Sequence, residues 1–212
     1  MPEATPPGWA KGARKLAEQA PAFQPLVQRH GDPVVRTGRE TFEALVAAIT
    51  SQQLSVKAAA TILSRVEDLC DGTLSPERLL AATPDELRGC GLSRPKAGYL
   101  HGLAEQLTSG ALNLEDLGTL DDEEVVDRLT SIKGIGAWSA HMILIFDLHR
   151  PDILAHGDLG VQDATRMVLG LEDRPSPGEL QALAEPWRPY RSIACWYLWT
   201  ERDARLQAQG KR

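Results

Sequence analysis

Ser75-Pro76, Thr83-Pro84 and Ser176-Pro177 each place a hydroxyl side chain immediately before a proline. Proline lacks the N–H that the first turn of a helix leaves unpaired in any case, and the preceding hydroxyl accepts from an amide farther in. Glu86 and Glu179 stand three residues after Thr83 and Ser176, which completes two capping boxes. Helix starts this firm need helical stretches behind them, and the apolar spacing supplies those. Phe42, Leu45, Val46 and Ile49 fall on one helical face, and Val56, Ala59, Ala60, Ile62, Leu63 and Val66 continue the pattern. Thr119, followed by Asp121, Asp122, Glu123 and Glu124, reads as a further cap with acids in the first turn, where the helix dipole favours them. "PVVRTG" at 33–38 is the best strand candidate, and it is short. The expected fold class is all-α.

The chain has 212 residues, enough for one large domain or two small ones around a real core. The N-terminus has prolines and charges but no apolar stretch of signal-peptide type. The longest apolar run, Met142 to Phe146, is far too short to cross a bilayer. A soluble, cytoplasmic protein with no membrane partner is expected. Cys70, Cys90 and Cys195 lie far apart, so neither a disulfide framework nor a zinc or iron–sulfur site is expected. The net charge of −6 argues against a nucleic-acid partner only until its location is known. Glu115 to Arg128 carries seven acids and one base, which accounts for the whole −6, and elsewhere 22 bases balance 22 acids. A locally basic or amide-rich face for phosphates therefore remains open.

"LTSIKGIGAWSA", Leu129 to Ala140, places Gly134 and Gly136 on either side of Ile135, between the acid-capped helix and an apolar one. Such a turn bends tightly, admits another backbone closely, and leaves the first amides of the next helix pointing outward. With the positive end of the helix dipole, those amides form an anion site that needs no Lys or Arg. Taken alone, the same residues also read as a tight turn between two helices with Ile135 plugged into the core. Asp158 follows 22 residues after Gly136, in "ILAHGDLGVQDATR". On spacing alone it reads as a helix N-cap. Asp152 and Asp163 are neighbouring carboxylates with weaker cases.

Helix, then Ile132, Gly134, Ile135 and Gly136, then helix, loop and Asp158 together resemble the helix–hairpin–helix DNA glycosylase superfamily, and within it the alkylation-repair branch of the 3-methyladenine DNA glycosylase II type. "DPVVRTGRETFEALVAAITSQQLSVKAAATILSRV", "LRGCGLSRPKAGYLHGLAEQL" and "EPWRPYRSIACWYLW" resemble its entry helices with wedge loop, its middle helices and its closing helix, so the likeness covers most of the chain. It implies two helical subdomains flanking a cleft. One is central, at 38–145, with the wedge loop and hairpin. The other is built from 1–37 and 146–212. About 35 residues precede the entry helix, too few for the N-terminal β domain of the best-known architecture.

The resemblance also implies roles. Asp158 would be the catalytic carboxylate. Gly134, Gly136 and Lys133 would meet DNA at the hairpin, and the backbone carbonyls of Thr130, Ile132 and Ile135 would hold a Na+ or K+ ion that bridges to a phosphate. No other cofactor is required. Bifunctional members place a lysine two residues after the second hairpin glycine, where this chain has Trp138. The family's C-terminal cysteine cluster is also missing. A monofunctional enzyme without lyase activity or an iron–sulfur cluster is therefore expected. Trp138 and Tyr190 match aromatic positions of the base pocket, and a cationic alkylated purine stacked on an indole gains about 0.5–2 kcal/mol. Met142 stands where the best-known relatives carry an aromatic. Gln53 matches the side chain that fills the gap left by a flipped base, with Gln52 and Leu54 as substitutes. Trp138 also reads as core, "SQQLS" as an ordinary helix connection, Trp187 as core packing, and His156 as shaping its loop. The expected partner is double-stranded DNA with damaged bases, bound by a monomer. Two alternatives stay open: a glycosylase for hypoxanthine, 1-methyladenine or a deaminated base, and a non-catalytic DNA-binding module of the same fold.

Overall fold

The fold is that of a computed structural model, which describes residues 3–36 and 40–210. It is all-α, apart from one antiparallel pair of two-residue strands, β1 (Glu3–Ala4) and β2 (Val35–Arg36), with Glu3 opposite Arg36. Val35 and Arg36 belong to the sequence's strand candidate, whose Thr37 and Gly38 lie outside the described residues. Two units emerge, one within Met1–Gly38 and Leu144–Arg212, the other within Arg39–Ile143. Among the described residues, no helix is long and apolar enough to cross a membrane.

The unit drawn from both ends of the chain contains α1 (Trp9–Gln19), α2 (Gln24–His30), α10 (Leu159–Leu169), α11 (Pro177–Leu183) and α12 (Arg191–Ala208). In α1, Trp9, Gly12, Ala13 and Leu16 are buried, the i, i+3, i+4, i+7 stripe of an amphipathic helix. Helix α12 lies at the centre, packed on α1, α2 and α10. Its Ile193, Ala194, Cys195, Tyr197 and Leu198 are buried. Trp187 is buried too, edge-on to Phe23 with centroids 5.1 Å apart. Glu201 is fully buried and receives hydrogen bonds from Arg29 and Arg205, each 2.7 Å from Oε1, with the His30 ring 2.8 Å from Oε2. Burial alone would raise its pKa, but the hydrogen bonds from His30, Arg205 and Arg29 outweigh that and hold it at about 2.

The other unit contains α3 (Thr41–Ser51), α4 (Val56–Leu69), α5 (Pro76–Ala81), α6 (Pro84–Gly89), α7 (Arg94–Thr108) and α8 (Asp122–Thr130). Helix α7 packs against α3, α5 and α6. Phe42, Leu45, Val46 and Ile49 are all buried, as their spacing predicts. Helix α4 is less embedded than its pattern suggests. Only Ala59 and Val66 of its apolar set are buried, and Val56, in the first turn, is 89% exposed.

Ser75, Thr83 and Ser176 cap their helices, the last two in full capping boxes. The acidic run differs from expectation in one respect. The cap of α8 is Asp121, not Thr119, because Asp121 has Glu124 three residues on to close the box, whereas Thr119 ends a short 3-10 turn. The remaining helix, α9 (Ala137–Phe146), starts at the glycine turn, and the division between the units falls inside it, after Ile143.

Candidate nucleic-acid interface and catalytic carboxylate

Helix α8 ends at Thr130, and the chain turns through Ser131–Gly136 before α9 begins. The turn is closed by the Ile135 amide, which donates to the Ile132 carbonyl at 2.9 Å. Ile132 and Ile135 are buried, so the structural reading of this turn holds. Gly134 has φ +95°, and a Cβ there would collide with the Tyr99 ring. Only glycine meets both demands. Gly136 differs. Its carbonyl accepts from Ala140 N at 3.1 Å, which makes it the N-cap of α9, and a Cβ there would meet nothing within 4 Å. A glycine in that place brings no side-chain acceptor to the first-turn amides. Lys133 is exposed in the turn.

The loop between α3 and α4 belongs to the same unit and is tied to this turn. Gln52 Nε2 donates to the Gly134 carbonyl at 2.6 Å. From α7, Lys96 Nζ donates to the carbonyls of Thr50 at 2.9 Å and Gln52 at 2.5 Å. Held from both sides, the loop presents Gln53 and Leu54 to the exterior, with Gln53 in the left-handed region at φ +57°. A non-glycine residue at positive φ persists only where its surroundings over-determine it. Gln52 therefore secures the loop rather than sharing its tip.

Trp138 and Met142 sit one turn apart on α9, Trp138 being 46% exposed and Met142 half-buried. The exposure of Trp138 rules out the fully packed core reading. Tyr190 is half-buried in the first-described unit and stands at the start of α12, its ring over Gly12 of α1.

Asp158 is the N-cap of α10, and its Oδ1 accepts from Val161 N at 2.8 Å. The same oxygen accepts from Trp199 Nε1 at 2.9 Å. Its loop is knitted to the protein on either side. Ser192 Oγ accepts from Ile153 N at 2.9 Å, Asp158 N donates to Ala155 O at 2.9 Å, and Gln162 Nε2 donates to His156 O at 2.8 Å. His156 thus shapes the loop, with its Nδ1 3.2 Å from the Leu154 carbonyl. The two weaker carboxylate candidates are engaged in ion pairs. Asp152 holds Arg191 at 2.8 Å and Arg188 at 3.0 Å, and Asp163 lies 3.5 Å from Arg174. Cys195 lies beneath the loop, and burial pushes its thiol up to about 12; Cys70 and Cys90 are likewise buried, their thiols raised by burial.

Sequence reasoning missed Trp199, Gln52 as a staple and Lys96. "CWYLW" gave no local sign that its last tryptophan reaches a carboxylate 41 positions earlier.

Residues 46–189 match the family described as HhH-GPD superfamily base excision DNA repair protein. DNA-3-methyladenine glycosylase 1 of Schizosaccharomyces pombe is 35% identical over 164 residues, covering 76% of this chain and 72% of that protein. The solved structure of S. pombe 3-methyladenine DNA glycosylase (Mag1) in complex with abasic DNA superposes with a TM-score of 0.82 at 32% identity, over 91% of this chain and 97% of that one. A DNA-3-methyladenine glycosidase from Bacillus halodurans gives a TM-score of 0.85 at 32% identity, over 98% and 95%. This chain belongs to the HhH-GPD superfamily of base excision DNA repair proteins.

Proposed function

We propose that the chain is a monofunctional DNA glycosylase that removes alkylated bases of the 3-methyladenine and 7-methylguanine type from duplex DNA and leaves an abasic site. The observation that carries this reading is Asp158, capping the helix beyond the glycine turn with its Oδ1 held by Val161 N and Trp199 Nε1.

The damaged nucleotide must leave the stack before its glycosidic bond can be reached. The glycine turn grips a phosphate through the first amides of α9, and the open space at Gly136 lets a strand approach closely. Lys133 adds charge. The carbonyls of Thr130 and Ile132, at the negative end of α8, with that of Ile135 farther along the turn, would hold a monovalent cation, which would supply positive charge toward the same phosphate. Gln53, with Leu54 beside it, fills the gap left in the duplex. Trp138 stacks on the extruded cationic purine, Met142 adds a polarizable contact, and Tyr190 contributes an aromatic edge.

As the bond from C1′ to the base nitrogen breaks, the electron pair leaves with the base and the sugar becomes oxocarbenium-like. A purine cationic from alkylation departs neutral, so no acid is needed to protonate it. The Asp158 carboxylate stabilises the sugar cation and orients a water whose oxygen bonds to C1′, the water's proton passing to solvent. The protein acts as a monomer on its DNA.

A panel of duplexes, each with one defined lesion, tests this under single-turnover conditions. Release of 3-methyladenine or 7-methylguanine by the wild type, with at least about a 100-fold loss in Asp158→Asn and abasic-site binding retained, is the expected result. Full activity in Asp158→Asn overturns the reading.

A further inference from the structure

Trp199 donates to the same oxygen of Asp158 as the helix amide does, at 2.9 Å against 2.8 Å. Two independent features hold the indole there. A Cβ on Gly160 would lie 3.0 Å from Asp158 Oδ1 and 3.4 and 3.5 Å from Cδ1 and Nε1 of Trp199, so any side chain at 160 would crowd this pair. The Phe146 ring, the last residue of α9, lies 5.5 Å from the Trp199 ring at an interplanar angle of 35°. Glycine on one side and a ring on the other leave the indole its place against the carboxylate.

We infer that Trp199 is a positioning residue, which fixes the plane of the Asp158 carboxylate toward the sugar. This rests on the reading of Asp158 as the group that acts on the sugar. Rotation of a carboxylate about its last bond is soft, with broad minima. The Val161 amide fixes one oxygen as a helix cap, and the second donor, arriving from another helix, fixes the rotation. The donor's neutrality matters as well. An arginine or lysine in that place would orient the carboxylate but cancel the negative charge that the sugar cation must meet. An indole N–H orients it and leaves the charge in place. Asp158 and Trp199 therefore form an orienting pair, and Gly160 is the clearance that permits it.

The test uses the full chain in two forms, Trp199→Phe and a protein with benzothienylalanine at 199, which keeps the ring's shape and replaces the N–H by sulfur. The probe is a duplex with a single 7-methylguanine. At saturating protein, single-turnover base release falls about 10-fold in both, as expected when a hydrogen bond to a charged group is lost. Affinity for an abasic-site duplex and the thermal midpoint of the benzothienylalanine protein stay at wild-type values. Wild-type release by the benzothienylalanine protein overturns the proposal, even if Trp199→Phe is slow or fails to fold, because packing rather than the N–H would then be at work. A loss confined to affinity also overturns it. Asp158→Asn is measured in parallel. If it releases base normally, or if the wild type releases none, the reading of Asp158 falls and this inference with it. If Asp158→Asn is inactive while both Trp199 forms react normally, only the role of Trp199 falls.

Discussion

The side-chain amide of Gln52 and the backbone carbonyl of Gly134 are 2.6 Å apart, joining two segments that lie 82 positions apart in the chain. The bond makes the loop that carries Gln53 and the turn proposed to hold phosphate one mechanical unit.

Gln52→Ala cuts that connection while leaving Lys96 on the loop carbonyls. Loss of one hydrogen bond of about 1 kcal/mol predicts a rise of roughly fivefold in Kd for an abasic-site duplex, with single-turnover release at saturation nearly unchanged. Fluorescence anisotropy and quenched-flow base release separate the two quantities. A fall in the saturated rate with no change in Kd would place Gln52 in the chemistry instead.

The two glycines of the turn have opposite expected failures. Gly134→Ala forces a Cβ onto the Tyr99 ring at a positive φ and should cost roughly 1–3 kcal/mol of stability. Gly136→Val has room for its side chain, so its stability loss should stay within about 1 kcal/mol. It should instead weaken binding to damaged and undamaged duplexes alike, since the lost contact is to phosphate. Denaturant melts beside binding curves on both duplexes decide the matter. Selective loss on lesion DNA would move Gly136 into the base pocket.

Trp138 stands at the position where the family resemblance would put lysine in a strand-cutting enzyme, and Lys133 is the exposed amine of the turn itself. A reaction run with borohydride should trap no covalent protein–DNA adduct, because no Schiff base forms with the sugar. Peptide mapping of any adduct to Lys133 would contradict a water-only mechanism.

Glu201 sets an acid limit on the fold. Its pKa, held at about 2 by Arg29, His30 and Arg205, lies below the ordinary value of 4.5 that it regains on unfolding. The stability it contributes is fully present above that ordinary value and is lost as pH falls through the folded one, on the order of 3 kcal/mol in all. Wild-type thermal midpoints should therefore drop between about pH 4.5 and pH 2. Glu201→Gln should lose roughly 1–3 kcal/mol at neutral pH, as the charge-assisted bonds to His30, Arg205 and Arg29 weaken, and lack Glu201's part of that acid slope. Equal slopes in both proteins would assign the acid limit to other groups.

What the sequence disclosed, and what it withheld, follows the range of the forces involved. Ser75, Thr83 and Ser176 cap helices through bonds that span three residues, and those are legible in a short string. Thr119 misled because two candidates lay two positions apart, and only Asp121 had Glu124 at the right distance. Asp158 is the N-cap that its spacing predicts, while its catalytic part is proposed from context. Gln52, Lys96 and Trp199 make side-chain bonds to residues 41 to 82 positions away, and no local period encodes such a partner. The apolar pattern of α4 marked a helix but could not reveal that Val56, in its first turn, stays exposed.

The buried thiols have a consequence for an enzyme that would work amid methylating electrophiles. Sulfur is attacked as thiolate, and Cys70, Cys90 and Cys195 are all held protonated and out of reach, Cys195 with a pKa near 12. A reagent that scars purines would find no ready thiol here, and so the repair machine is spared one form of the injury it exists to mend.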